Sequence, residues 1–371
     1  MNDTQDKKIK ITHVFKSAYP TIGGIESVIS QINDLLPNEK YEKEVLCCSN
    51  DHKSAVENGV RYIRCPYICN FASNNISLHF IWELHKVDTD ILHYQMPCIF
   101  AVLAHFIARP KYKKLYISYQ SDITIYPNLM RFFWGLYRRF MSKADKIHVL
   151  SPGHISGSAF LQQYKDKCVV VPHGMSMKYD VDYNKVQALK DKYKGKKILF
   201  SLGRHVWYKG FIYALEAMKN IDNAVYLLGG SGKLTETFKE YIKENNLQDK
   251  VVLTGRLSEE DISVYYEACD IYLFPSVGKT ECYGIVQVDA MRHGKPIINT
   301  WLNNGVNYVS VDNETGITVE PENVEQLTNA INKLINNDEL RLQYGQNAKK
   351  RAQDLFDIEK VREGYQEFYG A

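Results

Sequence analysis

The stretch "KKILFSLGRHVWYKGFIYALEAM", residues 196–218, decides the architecture. It opens on an apolar run without alternation, passes through a loop holding Arg204 and Lys209, and ends on apolar residues at helical spacing. That order describes a strand buried on both faces, a turn and a covering helix. The pattern continues downstream in "AVYLLGG" (224–230), "KVVLTG" (250–255), "DIYLFPS" (270–276), "KPIINT" (295–300) and "GITVE" (316–320). Upstream it runs through "KITHVF" (10–15), "KEVLCC" (43–48), "VRYIRC" (60–65), "DILHYQ" (90–95), "KLYISY" (114–119), "KIHVLS" (146–151) and "KCVVVP" (167–172).

Strands alternating with helical segments predict parallel α/β construction, here in two successive halves. The expected fold is a pair of facing Rossmann-like domains with a ligand cleft between them. The first domain is expected over 1–180 and the second over 181–355, with a helix over 356–371 packing back on the first. The linker falls near 175–195, where polarity is mixed and no strand is readable. Open parallel sheets bind ligands beyond the carboxyl ends of their strands, so functional groups are sought in the loops that follow them.

Composition narrows the function. The chain has 371 residues, 45% hydrophobic and 24% charged, an ordinary balance for a globular protein with two cores. No apolar run approaches the roughly 18 residues that a membrane span requires. The start, "MNDTQDKKIKI", lacks an apolar signal region, and a cytoplasmic location is expected. A net charge of +3 with dispersed aromatic residues argues against nucleic acid as a partner. Basic residues cluster in "RPKYKKLY" (109–116) and "RFFWGLYRRFMSKADK" (131–146). The second reads as an amphipathic helix with Phe132, Phe133, Trp134, Leu136, Tyr137, Phe140 and Met141 beside Arg131, Arg138, Arg139 and Lys143. Such a helix either lies on an anionic membrane surface or packs on the core with a solvated basic face. Eight scattered cysteines, Cys65 and Cys69 of "CPYIC" included, are expected as buried free thiols.

Four strand ends carry polar residues that the fold would aim at a ligand. After the first strand, Gly23 and Gly24 of "YPTIGGIESVI" open a helix whose N–H groups suit an anion. Arg204 and Lys209 form the outline of a diphosphate clamp, one a planar fork and the other a mobile point charge. In "ECYGIVQVDAMRHGKP", Gly284 starts a helix, and the backbone of Cys282, Tyr283, Gly284, Ile285 and Val286 can present several N–H groups to phosphate. Glu281 before that turn and Asp289 beyond it suit sugar and ribose hydroxyls. In "TGRLSEEDISVYYEACD", Ser258 and Asp261 make a capping box, and the preceding loop with Arg256 and Leu257 lies where it could touch a flat base.

In this order, "GGIE", "GRHVWYKG", "GGSG", "LTGRLSEEDISVYYEACDIYLFPS", "ECYGIVQVDAMRHGKPII" and "NGVNYVSVDNETGITVEPENVEQLTNAI" resemble the GT-B glycosyltransferases of family GT4. The likeness spans nearly the whole chain. It implies a retaining transferase with its nucleotide-diphosphate sugar donor on the second domain and its acceptor on the first. Arg204 and Lys209 would hold the diphosphate, Gly23 and Gly24 would approach it from the other domain, Glu281 would bond the sugar and Asp289 the ribose. Gln120 and Asp122 would belong to the sugar and acceptor cleft, as would His93, for which a buried structural histidine is the alternative. The resemblance further implies transfer of a hexosyl unit, first of all mannose from GDP-mannose, with UDP-hexoses next. The acceptor would be a saccharide or lipid-linked saccharide of surface polysaccharide such as O-antigen, capsule or lipopolysaccharide. No cofactor is obligatory, and peripheral contact with an anionic membrane fits the basic helix. The alternatives are a catalytically silent partner subunit and a UDP-sugar epimerase.

Three positions depart from the family pattern. Asp289 stands where a Glu is usual, Gln120 where a His is usual and His173 where an Asn is usual. Gln120 donates a hydrogen bond but takes no proton, so a side-chain base is not expected there. "DTD" (88–90) resembles a metal-binding motif of another transferase fold, but it precedes its strand instead of ending it, and no obligatory metal is expected.

Overall fold

The computed structural model describes residues 7–21, 23–71, 74–122, 127–278 and 280–370, with backbone alone for 127–130 and 132. Two compact units emerge. The first holds residues 1–150, 154–173 and 361–371; the second holds 151–153 and 174–360.

Among the described residues of the first unit, the strands are β1 (Ile9–Val14), β2 (Tyr41–Cys48), β3 (Ala55–Glu57), β4 (Val60–Cys65), β5 (Cys69–Phe71), β6 (Asn74–Ile76), β7 (Asp88–Met96), β8 (Lys111–Tyr119), β9 (Lys146–Val149) and β10 (Cys168–Val170). Eight of them form one sheet in the order β10-β9-β8-β7-β1-β2-β4-β3, parallel except for β3. β5 and β6 stand apart as an antiparallel pair, Cys69–Phe71 against Asn74–Ile76. Helices α1 (Gly24–Leu35), α2 (Leu78–Lys86), α3 (Ile99–Ala108) and α4 (Pro127–Ser142) cover the sheet. α1 turns Val28, Ile29, Ile32 and Leu35 inward, the spacing of one helical face. Ser77 caps α2 by accepting from Phe80 N–H at 3.0 Å.

The basic aromatic helix is α4. Its Tyr137, Phe140 and Met141 are buried in the core of the first unit, against Tyr94 and Phe160. Arg131, Arg138 and Arg139 are exposed. The apolar residues described on this helix therefore pack inward, which favours the core-packing reading over the membrane-surface one.

The second unit carries β11 (Lys197–Leu202), β12 (Ala224–Gly229), β13 (Val251–Gly255), β14 (Ile271–Phe274), β15 (Ile297–Thr300) and β16 (Gly316–Val319), all parallel in the order β13-β12-β11-β14-β15-β16. Its core gathers Leu199, Tyr226, Leu228, Ile271, Leu273 and Ile298 from the strands with Phe211, Leu215, Ile331 and Leu334 from the helices. The stretch read as linker contains a helix, Tyr183–Lys192, which Asp182 caps through the N–H groups of Asn184 and Lys185 at 2.9 and 3.2 Å. Polar spacing hid this helix, since it buries little more than Val186.

The strand order fixes where a ligand crevice opens. From β11 the chain steps outward to β12 and β13, then returns to the other side of β11 for β14. The loops after β11 and β14 consequently diverge at a topological switch point, where open α/β sheets take ligands. In the first unit the corresponding point lies between β1 and β7.

Candidate active site

At the switch point of the second unit two loops are laced together. Val277 N–H donates to Tyr208 O at 2.8 Å, and Gly210, in the left-handed region at φ 63°, leaves no room for a side chain against the Pro275 carbonyl. Lys209 ends a single 3-10 turn, Trp207–Lys209, and its ammonium pairs with the Glu281 carboxylate. Both side chains are mostly shielded, so the pair is screened less than one on an open surface. Arg204, exposed at the other end of the loop, donates from Nη2 to Tyr208 OH at 2.9 Å.

Glu281 is fixed by residues that the sequence did not single out. Ser276 Oγ donates to Glu281 Oε2 at 3.3 Å, and Asn304 Nδ2 donates to the Glu281 carbonyl at 2.7 Å. Thr300, at the end of β15, donates to the Ser276 carbonyl. These groups are separated in sequence, and only the parallel pairing of β14 with β15 brings them together.

Gly284 caps the helix Ile285–Arg292 at φ 75°, ψ 63°, a conformation open to glycine at little cost. A Cβ here would stand 2.6 Å from the Phe274 ring and 2.8 Å from Gln287 Nε2. The first turn of this helix leaves N–H donors at Ile285 and Val286 without intrahelical acceptors. The side chain of Tyr283, in contrast, is buried edge-on against Phe356, so its ring is structural. Cys282 is half-buried beside it.

Asp289 lies on the same helix and pairs with Arg292 at 3.0 Å. Burial pushes its carboxyl up to about 6, with Arg292 pulling the other way. On the far side of β11, Arg256 Nε donates to Ser231 Oγ at 3.1 Å, joining the "GGSG" loop to the loop that precedes the Ser258-capped helix. Leu257 is half-buried there. The capping box is partly formed: Ser258 Oγ accepts from Asp261 N–H at 3.1 Å, while the Asp261 carboxylate also pairs with Lys185 at 2.8 Å.

The first unit treats its expected residues differently. Gly23 is the extended residue before α1, and a Cβ there would run into the Glu26 carboxylate; around Gly24 the space is open. Gln120, just past β8, donates from Nε2 to Gln95 Oε1 at 3.2 Å. Asp122 accepts from Tyr119 OH at 2.5 Å and Ser158 Oγ at 2.6 Å. Within "SDITIYPN" (121–128), residues 123–126 lie outside the described residues and Pro127 and Asn128 begin α4.

His93 follows the structural alternative instead of the cleft one: it is fully buried in the middle of β7. Its Nε2 shares a 2.9 Å hydrogen bond with Ser118 Oγ, and its Nδ1 one of 2.5 Å with Tyr369 OH. Ser118 in turn meets His148 Nδ1 at 2.7 Å. Burial holds His93 well below the usual histidine range, neutral in the core. His173 is buried too, its Nε2 3.5 Å from Gln31 Nε2.

Two lesser expectations also change. "DTD" forms the first residues of β7, so it belongs to the strand; its amino-end position stands, and Asp90 is engaged with Lys113 at 2.7 Å and Lys10 N–H at 2.9 Å. Of the cysteines, Cys47, Cys48, Cys65, Cys98 and Cys269 are buried, Cys168 and Cys282 are half-buried and Cys69 is exposed, all as free thiols.

Residues 183–351 match the family described as Glycosyl transferases group 1, and residues 22–179 match Glycosyltransferase Family 4. The O-antigen chain mannosyltransferase C of Escherichia coli is 30% identical over 97% of this chain and 98% of its own. The D-rhamnosyltransferase WbpZ of Pseudomonas aeruginosa is 27% identical over 94% and 92%. Among solved structures, a sucrose-phosphate synthase from Thermosynechococcus elongatus has a TM-score of 0.81 at 19% identity, covering 98% of both chains. Anabaena HepE in complex with UDP has a TM-score of 0.75 at 18% identity, covering 97% of this chain and 99% of its own. The chain belongs to the family-4 glycosyltransferases and is a transferase of GT-B fold.

Proposed function

We propose that the chain is a retaining hexosyltransferase that takes its sugar from a nucleoside-diphosphate donor bound on the second unit. The observation that carries this reading is the grouping of Lys209, Glu281 and the Gly284-led helix start at the switch point of one sheet. Cations and helix N–H groups suit a diphosphate whose charge grows as the glycosidic bond breaks. Lys209 and Arg204 would offset that charge; the N–H groups over Cys282–Val286 would take up phosphate oxygens. Glu281, held by Ser276 and Asn304, would accept from the sugar hydroxyls, and Asp289 would accept from the ribose. Arg256 and Leu257 would border the base. With no side-chain base required of Gln120, the departing phosphate takes the acceptor's proton.

The relative at 30% identity, by its name an O-antigen chain mannosyltransferase, supports mannose as the unit and an O-antigen or similar surface polysaccharide as the product. GDP would be the leaving nucleotide and a lipid-linked saccharide the acceptor. Gly23 and Gly24 would approach the donor phosphates from the first unit, and the acceptor would be read by first-unit groups near Gln120 and Asp122. Calorimetric titration of GDP, UDP and ADP into the wild type and Lys209→Ala tests the donor half. One nucleotide should bind, and the variant should lose it. Binding of none by the wild type would turn the reading towards a silent partner subunit.

A further inference from the structure

We infer that Trp301, on the loop after β15, is a stacking platform for a hexopyranose ring held beside Glu281. The inference rests on the donor reading of the second unit and adds to it a surface for the apolar face of a sugar. Trp301 directly follows the last residue of β15 and is 52% exposed. Exposure alone would say little, since single apolar side chains are common on protein surfaces. What sets Trp301 apart is the loop that carries it. Its N–H donates to the Val319 carbonyl at 2.8 Å, which continues the β15–β16 pairing past the strand. Asn307 Oδ1 accepts from Leu302 and Asn303 N–H at 2.9 and 3.0 Å, and its Nδ2 donates to the Thr300 carbonyl at 2.9 Å. The loop is also tied to the candidate sugar carboxylate. Thr300 donates to the Ser276 carbonyl, Ser276 Oγ donates to Glu281 Oε2, and Asn304 Nδ2 donates to the Glu281 carbonyl. Leu302 turns into the core. Thr300, Leu302 and Asn304 are thus taken up by the fold, while the indole of Trp301 meets solvent from a backbone pinned on both sides.

The order of the strands selects what the indole meets. Across the carboxyl ends of the sheet come Arg256 after β13, Arg204 and Lys209 after β11, Glu281 after β14 and Trp301 after β15. A nucleoside-diphosphate sugar laid along that row, base towards β13 and diphosphate at β11, brings its hexose to β14. From there β15 is one strand spacing away, about 4.8 Å. A hexopyranose carries hydroxyls around its rim and C–H bonds on its faces. Glu281 can take rim hydroxyls, and an indole can cover a C–H face, burying apolar area that neither the carboxylate nor the cations would shield. A nucleobase would also stack on an indole, but the row sets the base on the far side of the diphosphate, at Arg256. The donor's hexose and the terminal hexose of a saccharide acceptor offer this same chemistry, and binding measurements separate the two.

Calorimetric titration of GDP, UDP, GDP-mannose and UDP-glucose into the wild type, Trp301→Ala and Trp301→Phe tests the inference. Trp301→Ala should weaken the sugar nucleotide that the wild type binds by about tenfold, and Trp301→Phe, which keeps an aromatic face, by about threefold or less. Affinity for the bare nucleotide and the melting temperature should stay those of the wild type. A merely structural role for Trp301 would instead lower the melting temperature in both variants, with no rescue by Phe. If the ring is the acceptor's, sugar-nucleotide affinity stays unchanged in Trp301→Ala. The loss of about tenfold then appears when methyl α-mannoside is titrated into the nucleotide-loaded protein. Wild-type affinity of Trp301→Ala for both the sugar nucleotide and the mannoside would overturn the proposal and leave the donor reading standing. A wild type that binds no nucleotide at all would remove both.

Discussion

The two units are built by one rule and use their polar residues in opposite ways. In the first, histidines sit inside strands: His13 on β1, His93 on β7 and His148 on β9 are buried and neutral, bonded to Ser118, Gln95 and the C-terminal Tyr365 and Tyr369. In the second, the polar groups follow the strands: Arg204 and Lys209 after β11, Glu281 after β14, Arg256 after β13. A polar side chain in mid-strand of a covered parallel sheet has nowhere to go but the core, where it must find partners. One beyond the carboxyl end is free to meet a ligand. Position relative to the strand end, more than residue type, separates buried polarity from the polarity proposed to meet a ligand.

The sharpest way to break the comparison is to remove the pair at the strand ends. Lys209→Ala and Glu281→Gln should each lower transfer by about 10²–10³-fold, the scale of one lost transition-state contact, with folding retained. Arg204→Ala, more exposed, should cost about 10²-fold. His93→Gln should do the reverse, lowering the melting temperature while leaving kcat within a few-fold. If His93→Gln abolished turnover without loss of stability, the contrast between the units would fail.

Acid should find the first unit's weakness next. Burial lowers His13 to about 3 and His148 to about 4, and lowers His93 strongly. Lys43 adds to the shift at His13, and the neighbouring histidines add to that at His93. The unfolded chain, near 6.5, therefore binds more protons as pH falls. This stability is intact above about 6.5 and is lost as pH drops towards 4, by up to about 1.4 kcal/mol per pH unit for each histidine. Urea melts from pH 7 down to 4.5 should show it, and His148→Gln should flatten the curve. A slope that the variant leaves unchanged would clear these histidines of the effect.

Much of this was legible in the chain. Apolar runs without alternation located the main parallel strands, because a strand covered on both faces has no solvent side to encode. The cation-bearing loop that carries Arg204 and Lys209 was legible because strand, loop and helix are contiguous in 196–218. His93 stayed open between two roles, since a histidine in "DILHYQ" reads alike whether its ring meets a ligand or Ser118 and Tyr369, and the latter lies 276 residues away. Helix Tyr183–Lys192 and the β5–β6 pair bury too little to leave a periodic trace.

At the proposed donor site, Asp289 should report its own ionisation. Its carboxyl is raised to about 6, so an acceptor role towards ribose weakens as pH falls through that value. Nucleotide affinity measured from pH 8 to 5.5 should drop at the acid end, by up to about fourfold at pH 5.5 as the ionised fraction falls. Asp289→Asn should bind more weakly at pH 8 and show a flat profile. A wild-type profile that is itself flat would remove Asp289 from the ribose.

The smallest effect separates holding a loop from capping a helix, because Asn304 does both. Its Oδ1 accepts from Val306 N–H at 3.0 Å, and its Nδ2 donates to the Glu281 carbonyl at 2.7 Å. Asn304→Ala removes both bonds and should cost about 1 kcal/mol of stability, with kcat reduced about two- to tenfold. Asn304→Asp keeps the cap but sets a carboxylate oxygen against the carbonyl that the amide had held. If Asn304 positions Glu281, Asp should restore most of the melting temperature lost in Ala while lowering kcat at least as far, with nucleotide affinity little changed. Rescue of kcat together with stability would mean that the cap alone matters, and that Glu281 is placed by Ser276 and its pairing with Lys209.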